Sequence, residues 1–307
     1  MQSLLRKPML ALAEQELIER VVRKSRLSRR LVRRFVAGDL LDDGLTVAST
    51  IAGTGMTTTL DLLGENVETV DAARSAATAY AETLHRMAAE GLEPNISVKL
   101  TMLGLDLGEA IALDTMGSLM EAARDVGGFV RIDMEGSPYT ARTLDIAERL
   151  HDRFPEQIGT VIQSYLFRSA DDVERLIARG MRVRLVKGAY AEPAAIAHQG
   201  ADAVDAAYLR LMERLLAAGT YPAIATHDPA IIRVAQEYVR RLGIAADRYE
   251  FQMLYGVRRD EQTALTAAGY RVRVYVPYGT EWYPYFARRI AERPANALFV
   301  LRQLVRG

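Results

Sequence analysis

The sequence contains no cysteine. This absence excludes disulfides, thiolate catalysis, iron–sulfur clusters and cysteine-ligated zinc. Histidine is scarce as well, with four in 307 residues and no H-E-x-x-H motif, so we expect no metal site. Any redox or electrophilic group that the protein uses must therefore come from elsewhere.

Long apolar runs are also missing, because no stretch approaches the roughly 20 residues that span a bilayer. The first apolar run is too short for a secretory signal, so we expect a cytoplasmic protein. Neither sign of charge is in excess, with 39 Lys and Arg against 39 Asp and Glu, which argues against a nucleic-acid partner. A basic helical pattern at 20–34 fits either a solvated helix or peripheral contact with an anionic membrane.

The chain shows no linker or composition shift, so we expect a single domain over 1–307. A helical preamble at 1–45 precedes the barrel and C-terminal helices at 56–307. Short runs rich in β-branched and aromatic residues predict eight strands. They lie at 56–64, 95–100, 128–135, 158–165, 182–188, 222–228, 249–254 and 270–278.

Amphipathic helical segments separate these strands, and four of them end at a glycine suited to a left-handed cap. These glycines are Gly91, Gly180, Gly219 and Gly269. Eight βα units favour a closed, distorted (βα)8 barrel of the TIM type, with extra N-terminal helices. A doubly wound open sheet is the alternative, but "GTGMTTT" at 53–59 precedes its strand and lacks the third glycine of a dinucleotide fingerprint.

Polar residues mark the end of every predicted strand. They are Asp61, Glu65, Lys99, Asp133, Glu135, Gln163, Tyr165, Arg184, Lys187, Thr226, His227, Asp228, Gln252, Tyr255, Tyr275 and Tyr278. Ion pairs such as Lys99 with Asp133 could merely plug the mouth of a barrel. Such residues at every strand end instead favour an enzyme, because barrel enzymes carry their active sites there.

Two strand ends are especially informative. In "RLVKGAY" (184–190), alternation points Arg184 into the barrel, and Gly188 permits close approach of a ligand to the backbone. In "ATHDP" (225–229), Asp228 is placed to cap a helix whose free N–H groups could cradle an anion or nucleotide. His227 in the same motif could equally be a core histidine.

Near the C-terminus, Tyr285, Arg288, Arg289 and Glu292 project from one helical face. That face could bind a carboxylate, although the same spacing also describes ordinary surface ion pairs. A rival hypothesis is a Schiff-base lyase that uses Lys99 as its nucleophile. Against it, Asp133 would keep Lys99 protonated, and a lyase does not need the paired arginines.

The motifs "SVKL", "RIDME", "VIQSY", "RLVKGAY", "ATHDP", "YEFQMLYG", "YVPYG" and "WYPYFARRIAERPAN", in this order, resemble the proline dehydrogenase family. The resemblance runs from about Asp61 to the C-terminus and is to the monofunctional bacterial form, without DNA-binding or aldehyde dehydrogenase portions. It implies a barrel with non-covalent FAD at the strand ends and a last helix that forms a lid over the substrate. The implied reaction oxidises L-proline to 1-pyrroline-5-carboxylate, with hydride transfer from proline C5 to flavin N5 and electrons passed to a quinone. This is the first step of proline catabolism to glutamate.

The resemblance also assigns roles to residues. Its substrate-binding residues fall on Lys99, Arg288, Arg289, Tyr275 and Tyr285. Its flavin-contacting residues fall on Met134, Gln163, Arg184, Lys187, Gly188, Ala189, Thr226 and His227. Asp133 and Arg184 are the expected catalytic residues, Glu65 the expected gate partner of Arg289, and Glu292 the residue that holds the arginines. Ala191 departs from the family, where many relatives carry a bulky residue. A non-catalytic barrel that binds an amino acid remains an alternative.

Overall fold

The structure is a computed structural model that describes residues 31–291. Eight strands are formed: β1 (Thr57–Leu62), β2 (Asn95–Val98), β3 (Phe129–Ile132), β4 (Ile158–Gln163), β5 (Arg182–Val186), β6 (Ala223–Ala225), β7 (Glu250–Leu254) and β8 (Val272–Tyr278). The helices of the described chain are α1 (Leu41–Ala52), α2 (Val70–Ala89), α3 (Glu109–Asp125), α4 (Ser137–His151), α5 (Ser169–Ala178), α6 (Ala201–Ala218), α7 (Pro229–Leu242), α8 (Arg259–Ala267) and α9 (Trp282–Ala291). Most of the predicted preamble and basic stretch, and Glu292, lie outside the described residues.

The strands pair in parallel in chain order, and β8 closes on β1. This confirms the predicted (βα)8 barrel and rules out the open sheet. Strands of such a barrel are covered on both faces, and all six residues of β4 are accordingly buried. Among the helices, α7 buries Ile231, Ala235 and Val239, four residues apart, while its other faces stay polar. No helix of the described chain is long and apolar enough to cross a membrane.

Strands β1 to β6 end earlier than the sequence predicted, whereas β7 and β8 end at the predicted residues. The ladder between β2 and β3 ends at Val98 and Ile132, so Lys99 and Asp133 lie just beyond it. Lys187 and His227 likewise follow β5 and β6 rather than belonging to them. These polar residues stand where the chain leaves the sheet, which is the reactive face of a parallel barrel.

Three of the four predicted glycine caps are left-handed, with φ of 71° at Gly91, 72° at Gly180 and 84° at Gly269. The prediction for Gly219 is wrong, because that residue is extended with φ −77° and ψ 159°. A Cβ at this position would lie 2.6 Å from the carbonyl oxygen of Leu215. Close approach to the preceding helical turn, and not handedness, is therefore what requires glycine there.

A buried ion pair occupies the barrel interior at the start of β7 and β8. Arg273 Nε donates to Glu250 Oε1 at 3.0 Å, and Arg273 Nη2 donates to Glu93 at 2.8 Å. Arg131 on β3 lies in the same region and donates to the carbonyl oxygen of Arg182 at 2.9 Å. A buried charge without its partner is strongly destabilising, so this end of the barrel depends on the pairing.

Candidate active site

A pocket of about 390 Å³ lies over the carboxyl ends of the strands. Its wall includes all the predicted substrate and cofactor residues: Lys99, Asp133, Met134, Gln163, Arg184, Lys187, Gly188, Ala189, Thr226, His227, Tyr275, Tyr285, Arg288 and Arg289. Residues from seven of the strand ends and from α9 thus meet in one place. A second cavity, of about 410 Å³ between 32–43 and Thr280–Trp282, contains no predicted site residue.

Arg184 is the centre of a buried network across the barrel. Its Nη1 donates to Asp133 Oδ1 at 2.6 Å, its Nε to Gln252 Oε1 at 2.5 Å and its Nη2 to Ser97 Oγ at 2.9 Å. These partners follow or belong to three other strands, so Arg184 points into the barrel as predicted. The Tyr275 hydroxyl donates to the other oxygen of Asp133 at 2.8 Å. The guanidinium and this carboxylate are therefore fixed relative to each other.

The predicted pair between Lys99 and Asp133 is corrected by the structure. Lys99 Nζ lies 3.8 Å from Asp61 Oδ1, whereas Asp133 forms its ion pair with Arg184. Arg184 reaches Asp133 from β5, two strands away, and forms the closer ion pair with it. Burial acts to lower the pKa of Lys99, but the facing carboxylates, Asp61 first among them, raise it above its usual value. A lysine held in its ammonium form is a poor Schiff-base nucleophile, which weakens the lyase hypothesis.

Helix α9 carries the paired arginines over the pocket. Arg288 Nη2 lies 2.9 Å from Glu65 Oε1, in the loop after β1. The prediction that Glu65 pairs with Arg289 is therefore wrong. The guanidinium of Arg289 instead lies 5.4 Å from the centre of the Tyr285 ring. Adjacent helical residues point about 100° apart, which distinguishes the two arginines. Both are partly buried in the pocket wall, which does not fit the alternative of an ordinary solvated ion-pair face.

The opposite wall is formed by the loop after β5. Gly188 has φ of 127°, and a Cβ there would lie 2.3 Å from the ring of Tyr165. Next to it, the backbone N–H of Ala189 donates to Gln163 Oε1 at 3.3 Å, while Gln163 Nε2 donates to the Glu135 carbonyl at 3.0 Å. Because Gly188 has no side chain, this loop packs closely against Tyr165 and Gln163.

The third part of the wall is the start of α7. Asp228 caps this helix as predicted and accepts from the Ala230 N–H at 3.0 Å. Its other oxygen lies 3.0 Å from Lys187 Nζ. Burial acts to raise the pKa of Asp228, but Lys187 and the helical N–H groups lower it overall. His227 Nε2 accepts from the Leu254 N–H at 2.9 Å, so the ring is held at the pocket wall with its neutral-form proton on Nδ1.

Sequence reasoning gave no role to several residues of this site. Tyr190 lines the pocket, and burial raises its pKa far above the usual range. Gln252 and Ser97 hold Arg184, and Asp61 faces Lys99. The signal for Tyr190 was its place in the "RLVKGAY" motif, and for Asp61 and Gln252 their place at strand ends. Ser97 carried no such signal, because an isolated serine within a short strand has many structural uses.

No group of three or more metal-binding side chains is formed within residues 31–291. The fold and the site instead define a (βα)8-barrel enzyme with a cationic pocket between its strand ends and its last described helix. The chain belongs to the proline dehydrogenase family, whose model matches residues 45–302. This membership makes it an oxidoreductase of proline catabolism.

Individual relatives agree with the family match. The chain is 40% identical over 308 residues to a proline dehydrogenase of Deinococcus radiodurans, covering 99% of both chains. It is 41% identical over 274 residues to proline dehydrogenase 1 of Bacillus subtilis subsp. natto, covering 89% of this chain and 90% of the relative. Among solved structures it resembles proline utilization A from Bdellovibrio bacteriovorus inactivated by N-propargylglycine, at 27% identity and a TM-score of 0.79. That match covers 86% of this chain and 32% of the larger protein.

Proposed function

We propose that this protein oxidises L-proline to 1-pyrroline-5-carboxylate with non-covalently bound FAD and passes the electrons to a quinone. The observation that carries the proposal is the convergence of Arg288, Arg289 and Lys99 on one pocket whose floor holds Arg184. Three cationic groups suit an amino-acid carboxylate. The fourth cationic group, Arg184, lies deeper in the barrel, where a redox cofactor would meet the substrate.

The donor set of the pocket fits a flavin. One wall of the pocket is lined by Gly188, Gln163 and Ala189. Glycine lets the backbone at 188 pack tightly against the Tyr165 ring, where a Cβ would clash and displace this wall. Thr226 and His227 line the pocket just before α7, where the dipole of that helix would favour the phosphate part of the cofactor. When bound, FAD supplies a two-electron acceptor, which the side chains of the protein lack. Met134, Arg184 and Lys187 complete the set of residues that would hold it.

The substrate is held by charge and by aromatic contact. Arg288 and Arg289 would donate charge-assisted hydrogen bonds to the carboxylate, with Lys99 as a third positive group. Tyr285, which is buried, and Tyr275, which is partly buried, would pack against the ring and exclude water. An anchored carboxylate fixes the orientation of the ring, and such positioning contributes much of an enzyme's acceleration.

Arg184 and Asp133 act at the floor of the pocket. The guanidinium of Arg184 is buried and held by three hydrogen bonds, so its positive charge is in place before the reaction begins. A preorganised charge stabilises negative charge that develops nearby during oxidation. Asp133 fixes both Arg184 and the Tyr275 hydroxyl, and we propose that it orients these groups.

The ion pair between Glu65 and Arg288 would act as a gate. In the structure Glu65 forms an ion pair with the guanidinium of Arg288, the group that would bind the substrate carboxylate. Both side chains keep partial solvent access, so one carboxylate can exchange for another without burying an unpaired charge. Glu292 lies outside the described residues, and its role of holding the arginines stays a prediction from the sequence.

An absorbance spectrum of the purified protein tests the proposal. A flavoenzyme is yellow and loses its visible absorbance when proline is added without oxygen. A Schiff-base lyase would be colourless and would be trapped by borohydride at Lys99. A non-catalytic barrel would be stabilised thermally by proline without turnover. Colourless protein that gains neither absorbance nor activity with added FAD would therefore contradict the proposed function.

The quinone acceptor is tested separately with vesicles. Proline oxidation should be coupled to reduction of a quinone dissolved in anionic lipid vesicles. If the basic segment at 20–34 contacts the membrane, the rate should fall when neutral lipids replace the anionic ones, because the attraction is electrostatic.

A further inference from the structure

Asp61 is a buried carboxylate that faces Lys99 and takes no part in the proposed reaction itself. It lies on β1, and its side chain is 1% exposed. The Tyr275 hydroxyl faces Asp61 but donates its hydrogen bond to Asp133 at 2.8 Å, so neither oxygen of Asp61 accepts a well-formed hydrogen bond from a side chain of the described chain. Buried carboxylates are normally hydrogen-bonded or closely paired, because their desolvation is otherwise uncompensated. A site that departs from this rule next to a substrate pocket points to a functional use.

The charged neighbours of Asp61 are largely committed to other partners. Glu65 lies 2.9 Å from Arg288, and Asp133 lies 2.6 Å from Arg184. Each of these two carboxylates therefore has an arginine of its own. Asp61 is left as the counter-ion of Lys99, whose Nζ lies 3.8 Å away.

The distance between the two groups matters. At 3.8 Å the contact is an ion pair but is longer than a hydrogen bond of about 2.8 Å. The ammonium has three N–H donors, and Asp61 at this distance does not take one of them. Lys99 lines the pocket and Asp61 does not. The carboxylate can therefore supply its charge while the donors of Lys99 stay available to a ligand.

We infer that Asp61 is a positioning residue that keeps Lys99 in its ammonium form at the pocket wall, ready to receive the carboxylate of the substrate. This inference rests on the proposed function. A lysine desolvated to this degree tends to lose its proton, and an adjacent carboxylate opposes that loss. The groups that face Lys99 are Asp61, Glu65, Asp133 and Arg288, and the pKa of Lys99 is raised because the carboxylates together outweigh burial and the arginine.

Asp61→Asn tests the inference, because it removes the charge and keeps the size of the side chain. The probe is cyclopentanecarboxylate, the ring of proline with methylene in place of nitrogen, so that the ligand does not titrate in the range used. Its dissociation constant for the flavin-loaded wild type should stay constant between about pH 7.5 and 9.5. In Asp61→Asn it should rise at least about fivefold over that range, because Lys99 loses its proton there. Burial raises the pKa of Tyr190 and Tyr275 above the usual tyrosine value, so neither hydroxyl loses its proton in the pH range of the experiment.

Two controls separate charge from packing. Thr59→Val lies on the same strand and removes a buried hydroxyl that lies 3.2 Å from Ser97 Oγ, without altering charge. Its pH profile should stay flat. Lys99→Met should bind the probe weakly at every pH, and adding Asp61→Asn to it should change nothing further. A merely structural role for Asp61 would weaken binding equally across the pH range.

The possible outcomes test the role of Asp61 separately from the proposed proline oxidation. If Lys99→Met weakens binding but Asp61→Asn stays independent of pH, the inference is wrong and the proposed function stands. If Lys99→Met binds the probe as tightly as wild type, the assignment of Lys99 to the carboxylate fails. If Asp61→Asn does not fold, the wild type gives a second test, because a Lys99-dependent loss of affinity below about pH 9.5 would overturn the inference.

Discussion

Replacing Arg288 by Met removes one guanidinium from the proposed carboxylate clamp. In the structure this side chain lies in the pocket wall, 2.9 Å from Glu65. A charge-assisted hydrogen bond contributes about 1.5 to 3 kcal/mol, which corresponds to a change of roughly 10- to 150-fold in binding. Releasing the guanidinium from Glu65 costs part of that energy in the wild type, so we expect the KM for proline to rise about tenfold or somewhat more.

The assay is steady-state proline oxidation with a dye as electron acceptor, resolved into kcat and KM. The dissociation constant of cyclopentanecarboxylate should rise in parallel, since KM reports binding only when chemistry is slow. Arg142→Met is a matched control, because Arg142 pairs with Glu109 and does not line the pocket. An unchanged proline KM in Arg288→Met, with a normal fold, would refute the clamp.

Three further predictions concern the rest of the barrel. Gly188→Ala places a Cβ 2.3 Å from the Tyr165 ring, so the purified variant should hold much less flavin per chain; full flavin content would contradict the fit. Tyr275→Phe removes the hydroxyl bond at 2.8 Å to the buried carboxylate network and should lower kcat about tenfold or more while melting close to wild type. Glu250→Gln should cost roughly 3 kcal/mol at neutral pH by urea unfolding, because buried Arg273 loses its buried counter-ion and keeps only the exposed carboxylate of Glu93. Burial acts to raise the pKa of Glu250, but Arg273 lowers it overall, so the wild type gains stability above the unfolded value of 4.5 and loses it as pH falls below. The difference between the two proteins should therefore shrink below that pH, and a constant difference would refute the ionic explanation.

The barrel was predictable because its strands and helices repeat on a regular pattern. Eight runs of β-prone residues separated by amphipathic segments leave few topologies open. The carboxyl ends of the strands were less predictable. Lys99, Asp133 and Lys187 each follow directly on a β-branched residue of high strand propensity, and the sequence does not record where the ladder stops.

The membership of the site was also predictable, because strand ends of a parallel barrel converge. The ion pairs between the charged side chains of the site were not predictable. Asp61 on β1 and Asp133 after β3 flank Lys99 after β2 from the two sides, and both lie within reach of it. Asp133 pairs with Arg184, which reaches it from β5, two strands away. Such a contact depends on three-dimensional distances that strand alternation alone does not supply.

The central claim is that neighbouring arginines on α9 bind the carboxylate of a five-membered ring at the barrel mouth. A crystal structure of the flavin-loaded protein with cyclopentanecarboxylate tests it most directly. The account predicts carboxylate oxygens within about 3 Å of Arg288 and Arg289, with Glu65 displaced from Arg288. A carboxylate bound away from both arginines, with the ion pair to Glu65 intact, would contradict it.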